Sequence, residues 1–190
     1  MSGILQEPLK IGYDDHAFLS PSNFHWVNYT PDKLRQVWKS KKAAELGTRL
    51  HVLAEECIRL RIKLDHTQYP TLALYVNDCI DFGMYPEVHL ECDIECFGTA
   101  DSLLFAHNIL RIWDLKTGSN RVHHTQVLIY AAIFCLQNGI DPLSIQYDLR
   151  IYQNGECKQV LVHPDYILKL TEIIVEDIKI INEEKKSSRY

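Results

Sequence analysis

One short apolar run, Ile109 to Leu115, limits most strongly what this chain can fold into. Its β-branched and aromatic content is typical of a buried strand, yet the run leads into the triplet Asp114-Leu115-Lys116. Because side chains alternate along a strand, Asp114 and Lys116 are predicted to share one face while Leu115 points to the other. Burying unpartnered charges is costly. An acid and a base at this place therefore indicate either a structural ion pair or a metal site with an adjacent cation.

A second acid is predicted to meet this pair. Asp101 lies near the start of the preceding strand, and His107-Asn108 is a polar turn short enough for a hairpin. Such a hairpin brings Asp101 beside Asp114, where two carboxylates repel each other unless a cation lies between them. Aspartate oxygens suit Mg²⁺ or Mn²⁺, and the backbone carbonyl of Leu115 is a further candidate ligand.

The remaining pattern mixes helices and strands, which predicts an α/β fold. One predicted helix begins at Pro31. Further predicted helices cover Gly47 to Lys63, Thr71 to Phe82, Val122 to Gln137 and His163 to about Lys186. Besides the hairpin around His107-Asn108, predicted strands cover Glu87 to Cys92, Ile145 to Tyr152 and Cys157 to Val162. A length of 190 residues favours a single domain, 1–190. Within it, 1–46 would be an N-terminal helical extension, 47–162 the core and 163–190 a C-terminal helix.

Composition indicates the class of protein and the cellular compartment in which it works. Hydrophobic residues make up 46% and charged residues 24% of the chain, which is ordinary for a globular protein. No apolar stretch approaches the length of a membrane span, and Met1 to Lys10 lacks the pattern of a signal peptide. Six cysteines form no CxxC pair, which argues against a zinc site. We therefore expect a reducing, cytoplasmic setting without membrane contact.

The net charge of −5 argues against a non-specific coat for nucleic acid. Any phosphate binding would need a local basic patch or a bound metal ion.

Two predicted helices each carry a pair of polar residues on one side, since residues four apart share a helix face. These pairs are His51 with Glu55 and Gln126 with Tyr130. A lone helix histidine is usually a satisfied core or boundary residue, and a helix glutamine often lies on a partly exposed surface. The residues alone do not decide whether these side chains have such a structural role or a functional one.

The ordered set of motifs resembles the PD-(D/E)xK nuclease superfamily, and in particular its RecB-like branch of exonucleases. That branch includes phage exonucleases and the nucleases that accompany CRISPR adaptation. In chain order the motifs are Gly-x-x-x-His-x-x-x-Glu, Gly-Thr-Ala-Asp, an apolar strand ending in Asp-Leu-Lys-Thr-Gly, and Gln-x-x-x-Tyr. The likeness runs from Gly47 to Tyr130, under half of the chain. It implies a restriction-endonuclease-like core, which is a central mixed β-sheet flanked by helices.

By position, the resemblance implies a metal site with one or two Mg²⁺ or Mn²⁺ ions. His51 would be a helix ligand, and Asp101 and Asp114 would be the two metal-binding carboxylates, with Leu115 as the backbone ligand proposed above. Glu87 lies where several relatives place an additional acid. Iron–sulfur members carry a cysteine cluster that this sequence lacks, so no iron–sulfur centre is expected.

The resemblance also implies catalytic roles. Lys116 would lie beside the nucleophilic water, and Asp101 and Asp114 would share the catalytic centre with it. Gln126 and Tyr130 would lie near the substrate phosphate or support the site. Glu55 is expected to be a hydrogen-bond partner in the scaffold.

The implied function is a metal-dependent DNA nuclease, an exonuclease that hydrolyses phosphodiester bonds in recombination, repair or phage DNA processing. Its partners would be linear duplex or single-stranded DNA, further copies of the chain and a single-strand annealing or recombination protein, in the host cytoplasm if a phage encodes it. A structure-specific endonuclease and a non-catalytic DNA-binding or assembly module on the same fold are alternatives. The blandest alternative is an α/β domain in which Asp114 and Lys116 form a surface ion pair.

Overall fold

The structure, a computed structural model, describes residues 17–118 and 123–187. The expectations for Met1 to Lys10 and for a helix start at Val122 lie outside these residues. The chain divides into two compact units, with the boundary between Lys42 and Ala43.

The first unit contains a short 3-10 helix, Pro21–Asn28, and the beginning of helix α1, Pro31–Leu60. The indole N–H of Trp26 donates to the carbonyl of Ser20 over 3.0 Å. The rings of Phe18 and Trp38 pack edge to face, with their centroids 5.0 Å apart. Aromatic side chains thus make both of these contacts within the first unit.

A five-stranded mixed sheet forms the centre of the second unit. Its strands are β1 Tyr85–Asp93, β2 Cys96–Ala106, β3 Ile109–Leu115, β4 Gln146–Gln153 and β5 Glu156–Val160. They lie side by side in chain order, and every neighbouring pair is antiparallel except β3 and β4, which are parallel. The other described helices are α2 Pro70–Phe82, α3 Thr125–Asn138 and α4 Pro164–Ser187, with a short 3-10 helix at Pro142–Ser144. The predicted α/β fold with a helix-flanked mixed sheet is confirmed.

Two tight turns set the register of the sheet. His107 and Asn108 have φ of +52° and +58°, and Asn154 and Gly155 have φ of +54° and +77°. Two successive residues with positive φ are the mark of a type I′ hairpin, whose twist matches that of the strands. The β2–β3 turn pairs Ser102 with Trp113, so the next residues toward the strand ends are Asp101 and Asp114.

The sheet buries a separate apolar cluster on each face. On one face Leu110 and Ile112 of β3 pack with residues of α3 and α4, including Val127 and Ile167. On the other face the packing involves the 43–60 part of α1 and helix α2, and its members from the sheet are Trp113, Leu115 and Tyr152. The strict alternation along β3 therefore places Asp114 on the same face as Ile112, next to α3.

The predicted start of a separate helix at Gly47 is wrong. Helix α1 continues through this glycine from Pro31 to Leu60. A Cβ atom at Gly47 would lie 2.8 Å from Oγ1 of Thr117, so the glycine permits a close approach between segments. The helix ends earlier than predicted because Arg61 takes φ of +56° and the Ile62 amide donates back to Cys57.

Two further features of the fold are the length of its described helices and the state of its cysteines. Among the described residues, no helix combines the length and the apolar character needed to cross a bilayer. All six cysteines carry free thiols.

Candidate metal centre

Three potential ligands meet where β1 and β2 pass α1. His51, Glu87 and Asp101 each offer one ligand atom, and these three atoms lie within 4.8 Å of one another. Nδ1 of His51 is 3.4 Å from Oδ1 of Asp101. One imidazole nitrogen and two carboxylates are a donor set that divalent ions such as Mn²⁺ and Mg²⁺ accept. The structure thus brings two of the predicted ligands together and adds Glu87 to them.

The backbone of β1 and β2 is irregular at the two acidic ligands, Glu87 and Asp101. Ala100 belongs to the cluster on the α3 face, whereas Ser102 accepts a hydrogen bond from Sγ of Cys79 in α2 on the opposite face. Two residues that are two apart normally share a face, so the alternation of β2 breaks at Asp101. Across from it on β1, Glu87 has φ of +50°, a conformation that costs a non-glycine residue about 1–3 kcal/mol. The strain lies where the two carboxylates converge.

Asp101 divides its two carboxylate oxygens between two tasks. Oδ2 accepts a hydrogen bond from the backbone N–H of Leu115 over 2.7 Å, which ties β2 to the end of β3. Oδ1 faces His51. Leu115 thus contacts Asp101 through its backbone amide, while its buried side chain packs in the core. The carbonyl of Leu115 as a metal ligand stays a prediction.

Asp114 and Lys116 form a tight, half-buried pair. Oδ1 of Asp114 accepts a hydrogen bond from Nζ of Lys116 over 3.0 Å. Asp114 is only 3% exposed, and its other oxygen, Oδ2, has no hydrogen-bond partner in the described structure. Such buried, unsatisfied oxygens are rare and call for an unseen partner. Asp114 does not belong to the group of three ligands, yet its free oxygen gives it the capacity to bind an ion.

Helix α3 holds the lysine in place. Nζ of Lys116 donates to Oε1 of Gln126 over 2.8 Å, and Nε2 of Gln126 donates to the hydroxyl of Tyr130 over 3.4 Å. The ring of Tyr130 lies against Gly98, where a Cβ atom would come within 3.0 Å of Cε1. The glycine of the Gly-Thr-Ala-Asp motif therefore makes room for the tyrosine of the Gln-x-x-x-Tyr motif.

Negative charge accumulates at this centre. Burial raises the pKa of the Asp114 carboxyl above its ordinary value, and the nearby Asp101 adds to the rise. Burial likewise raises the pKa of Glu87, with Asp101 and then Glu55 adding to it. The hydrogen bond to Asp101 raises the pKa of the His51 imidazole. A divalent cation would relieve the repulsion between these acids, so the residues present fit such an ion.

Glu55 belongs to the scaffold beside the centre. Its Oε1 accepts hydrogen bonds from Nε of Arg59 at 2.9 Å and lies 2.8 Å from Nη2 of the same guanidinium. This pair runs along α1 one turn beyond His51. Arg59 also lowers the pKa of Glu87 and so offsets part of the negative charge.

The approach of Gly47 to Thr117 leads to a stability prediction. Gly47→Ala places a Cβ 2.8 Å from Thr117 Oγ1, and such overpacking costs about 1–3 kcal/mol. The gain in helix propensity, about 1 kcal/mol, offsets only part of this cost. We expect a lower free energy of unfolding in urea for Gly47→Ala, with recovery in the double variant Gly47→Ala/Thr117→Ala.

Gly118 provides the matched control for that experiment. A Cβ at Gly118 would meet no atom within 4 Å, so Gly118→Ala should leave stability nearly unchanged. Equal stability of Gly47→Ala and the wild-type protein would show that the close approach does not constrain α1.

Comparison of the chain with protein-family models, with curated proteins and with solved structures finds no significant match. A functional assignment therefore rests on the geometry of the centre together with the order of the motifs.

Proposed function

We propose that the protein is a divalent-metal-dependent nuclease that hydrolyses phosphodiester bonds in DNA. The observation that carries this proposal is the convergence of His51, Glu87 and Asp101 within 4.8 Å, beside an ammonium group held 3.0 Å from a buried carboxylate. A surface ion pair explains this poorly, because Asp114 is buried and keeps one oxygen unpaired. A metal–lysine centre uses every one of these groups.

The fold supports the same proposal. The resemblance to PD-(D/E)xK nucleases implies a restriction-endonuclease-like core, in which a mixed sheet carries helices on both faces. Here the mixed sheet has α3 and α4 packed on one face, and α2 with residues 43–60 of α1 on the other. The four motifs that carry the resemblance all contribute side chains to one region of this sheet.

The proposed ligands are His51, Glu87 and Asp101, with Oδ2 of Asp114 as the further oxygen. A bound Mg²⁺ or Mn²⁺ ion supplies Lewis-acid polarisation of a phosphate oxygen and a lower pKa of bound water. The protein residues orient this chemistry. Asp101 is fixed by the Leu115 amide and His51 by Asp101, so the ligand set is held in place before substrate binds.

Lys116 is the proposed catalytic cation. A compact ammonium group can orient a water molecule and offset the charge that develops on the phosphate in the transition state. Asp114 and Gln126 hold this ammonium from two sides and leave its remaining proton for water or substrate. Gln126 and Tyr130 act as positioning residues, because they reach the substrate only through Lys116.

The resemblance favours an exonuclease acting on linear duplex or single-stranded DNA. With a net charge of −5, the chain depends on its metal centre and on local cations to bind phosphate. The cytoplasm, a homo-oligomeric assembly and an annealing or recombination protein as partner belong to the same proposal.

A digestion assay tests the proposed activity. Linear duplex, covalently closed circular and single-stranded DNA are incubated with the protein and Mg²⁺ or Mn²⁺. We expect loss of the linear substrates, survival of the circles, and complete inhibition by EDTA, since the chemistry depends on the bound ion. Cutting of the circles would identify an endonuclease instead. DNA binding without metal-dependent cleavage of any substrate would identify a non-catalytic DNA-binding module.

A further inference from the structure

A cavity of about 460 Å³ opens beside Lys116, at the end of β3. Its walls come from the 43–60 part of α1, the start of α2 with the two residues before it, the segment after β3, and the β4–β5 turn. The lining side chains used below are Leu50, Gln68, Tyr69, Leu72, Lys116 and Asn154. A volume of this size is within the range of pockets that take a small molecule, about 300–1,000 Å³.

The walls combine a flat apolar surface with neutral hydrogen-bonding groups. Leu50 and Leu72 supply aliphatic surface, and Tyr69, a residue that is 50% exposed, supplies an aromatic ring. Gln68 and Asn154 offer amides that can both donate and accept hydrogen bonds. None of the described residues that line the cavity is acidic, and Lys116 is the only cation among them. This chemistry suits a flat, neutral, polar-edged ring that is joined to an anion.

The cavity adjoins the metal centre through Lys116. Lys116 lines the cavity and donates to Asp114 in the centre. Leu50 lines the cavity and directly precedes His51 in α1. If the anionic group of a ligand lies at the metal centre, the adjacent part of the same ligand can therefore enter the cavity.

Hydrogen bonds fix the walls of the cavity. The amide of Gly155 donates to Oγ1 of Thr71 over 2.7 Å, which joins the β4–β5 turn to the start of α2. Nε2 of Gln153 donates to the carbonyl of Gly118 over 2.6 Å, which joins the same turn to the segment after β3. Because its walls are held by these bonds, the cavity is formed before any ligand enters.

We propose that this cavity binds one unpaired nucleobase of the DNA strand whose phosphate lies at the metal centre. The base stacks on Tyr69, and the amides of Gln68 and Asn154 meet its polar edge. A base in a duplex has this edge paired and both faces stacked, so the substrate strand is single-stranded or frayed at this nucleotide. The inference rests on the proposed nuclease function and narrows its substrate class to unpaired strand ends.

Mononucleotide binding tests the cavity without requiring catalysis. Deoxyadenosine monophosphate and deoxyribose 5-phosphate, which lacks the base, are titrated into the protein in the presence of Mg²⁺ and followed by NMR or calorimetry. We expect the nucleotide to bind at least about fivefold more tightly, since a stacked base contributes about 5- to 150-fold in affinity. Tyr69→Ala should remove this preference, whereas Tyr69→Phe should keep it because the ring remains.

Two further variants make the result decisive. Tyr166→Ala removes a tyrosine of similar exposure, 48%, from α4 outside the cavity and should bind like the wild-type protein. Tyr69→Leu retains an apolar side chain without the ring, and it takes the place of Tyr69→Ala if that variant does not fold.

The outcomes separate this inference from the proposed function. Equal binding of the two probes, or unchanged nucleotide binding in the variant without a ring at position 69, overturns the nucleobase cavity while metal-dependent DNA cleavage keeps the nuclease. Base-dependent binding without any cleavage keeps the cavity and overturns the nuclease. Under the inference, linear duplex with blunt ends is also cut at least about tenfold more slowly than single-stranded DNA, and equal rates contradict it.

Discussion

The variant Lys116→Ala is expected to hydrolyse DNA about 10²–10³-fold more slowly than the wild-type protein. The ammonium group of Lys116 is the one cation that the structure describes in hydrogen-bond contact with the buried Asp114. Its loss removes the charge that would stabilise the developing phosphate charge, while the three ligands stay in place. Single-turnover digestion of labelled DNA at saturating Mg²⁺ measures the rate of the chemical step.

The controls distinguish catalysis from general charge effects. Lys158→Ala removes a lysine of which 62% is exposed, from a loose 4.0 Å pair with Glu156 on β5, and should leave the rate unchanged. Lys116→Arg keeps the charge but not the compact shape, so it should recover only part of the rate. A rate for Lys116→Ala within a factor of two of wild type would remove Lys116 from the mechanism.

The second large effect is expected for Asp101→Asn, which should abolish stabilisation by metal. An ion at 100 times its dissociation constant adds about 2.7 kcal/mol to the free energy of unfolding, or about 5–10 °C in melting temperature for a chain of this size. Asparagine retains an oxygen that can accept the Leu115 amide, so the β2–β3 connection survives. Thermal unfolding with and without Mn²⁺ should therefore show the shift in the wild-type protein and not in Asp101→Asn.

Asp165→Asn is the matched control for this measurement. Asp165 also pairs with a histidine, since its Oδ2 lies 2.6 Å from Nδ1 of His163, but this pair is exposed and stands apart from the ligand group. Its variant should keep the full Mn²⁺ shift. If Asp101→Asn keeps that shift as well, His51, Glu87 and Asp101 do not form the metal site.

The features that follow from local chemistry were predictable from the sequence. The alternation of Asp114, Leu115 and Lys116 over the two faces of β3 follows from the period of a strand, and the structure shows Lys116 bonded to Asp114. The polar turn at His107-Asn108 sets the register that brings Asp101, in the middle of β2, beside Asp114 near the end of β3. Both depend only on neighbours in the chain.

The features that escaped prediction depend on contacts between distant segments. The left-handed conformation of Glu87 is unusual for glutamate, and no local signal marks it in the sequence. Gly47 looked like a helix boundary because its partner, Thr117, lies far along the chain. The nucleobase cavity has walls from four separate segments, and Tyr69 stands in a stretch that the sequence pattern marks only as a connection.

The division of labour in the Asp101 carboxylate has a consequence for how this protein can evolve. One oxygen accepts the hydrogen bond from Leu115 that joins β2 to β3, and the other oxygen faces His51. A single side chain therefore both connects two strands and belongs to the candidate metal centre. Lengthening it to glutamate would move both oxygens at once. A substitution at this position therefore changes the sheet and the centre together. Selection for a stable sheet cannot be separated here from selection for an intact centre.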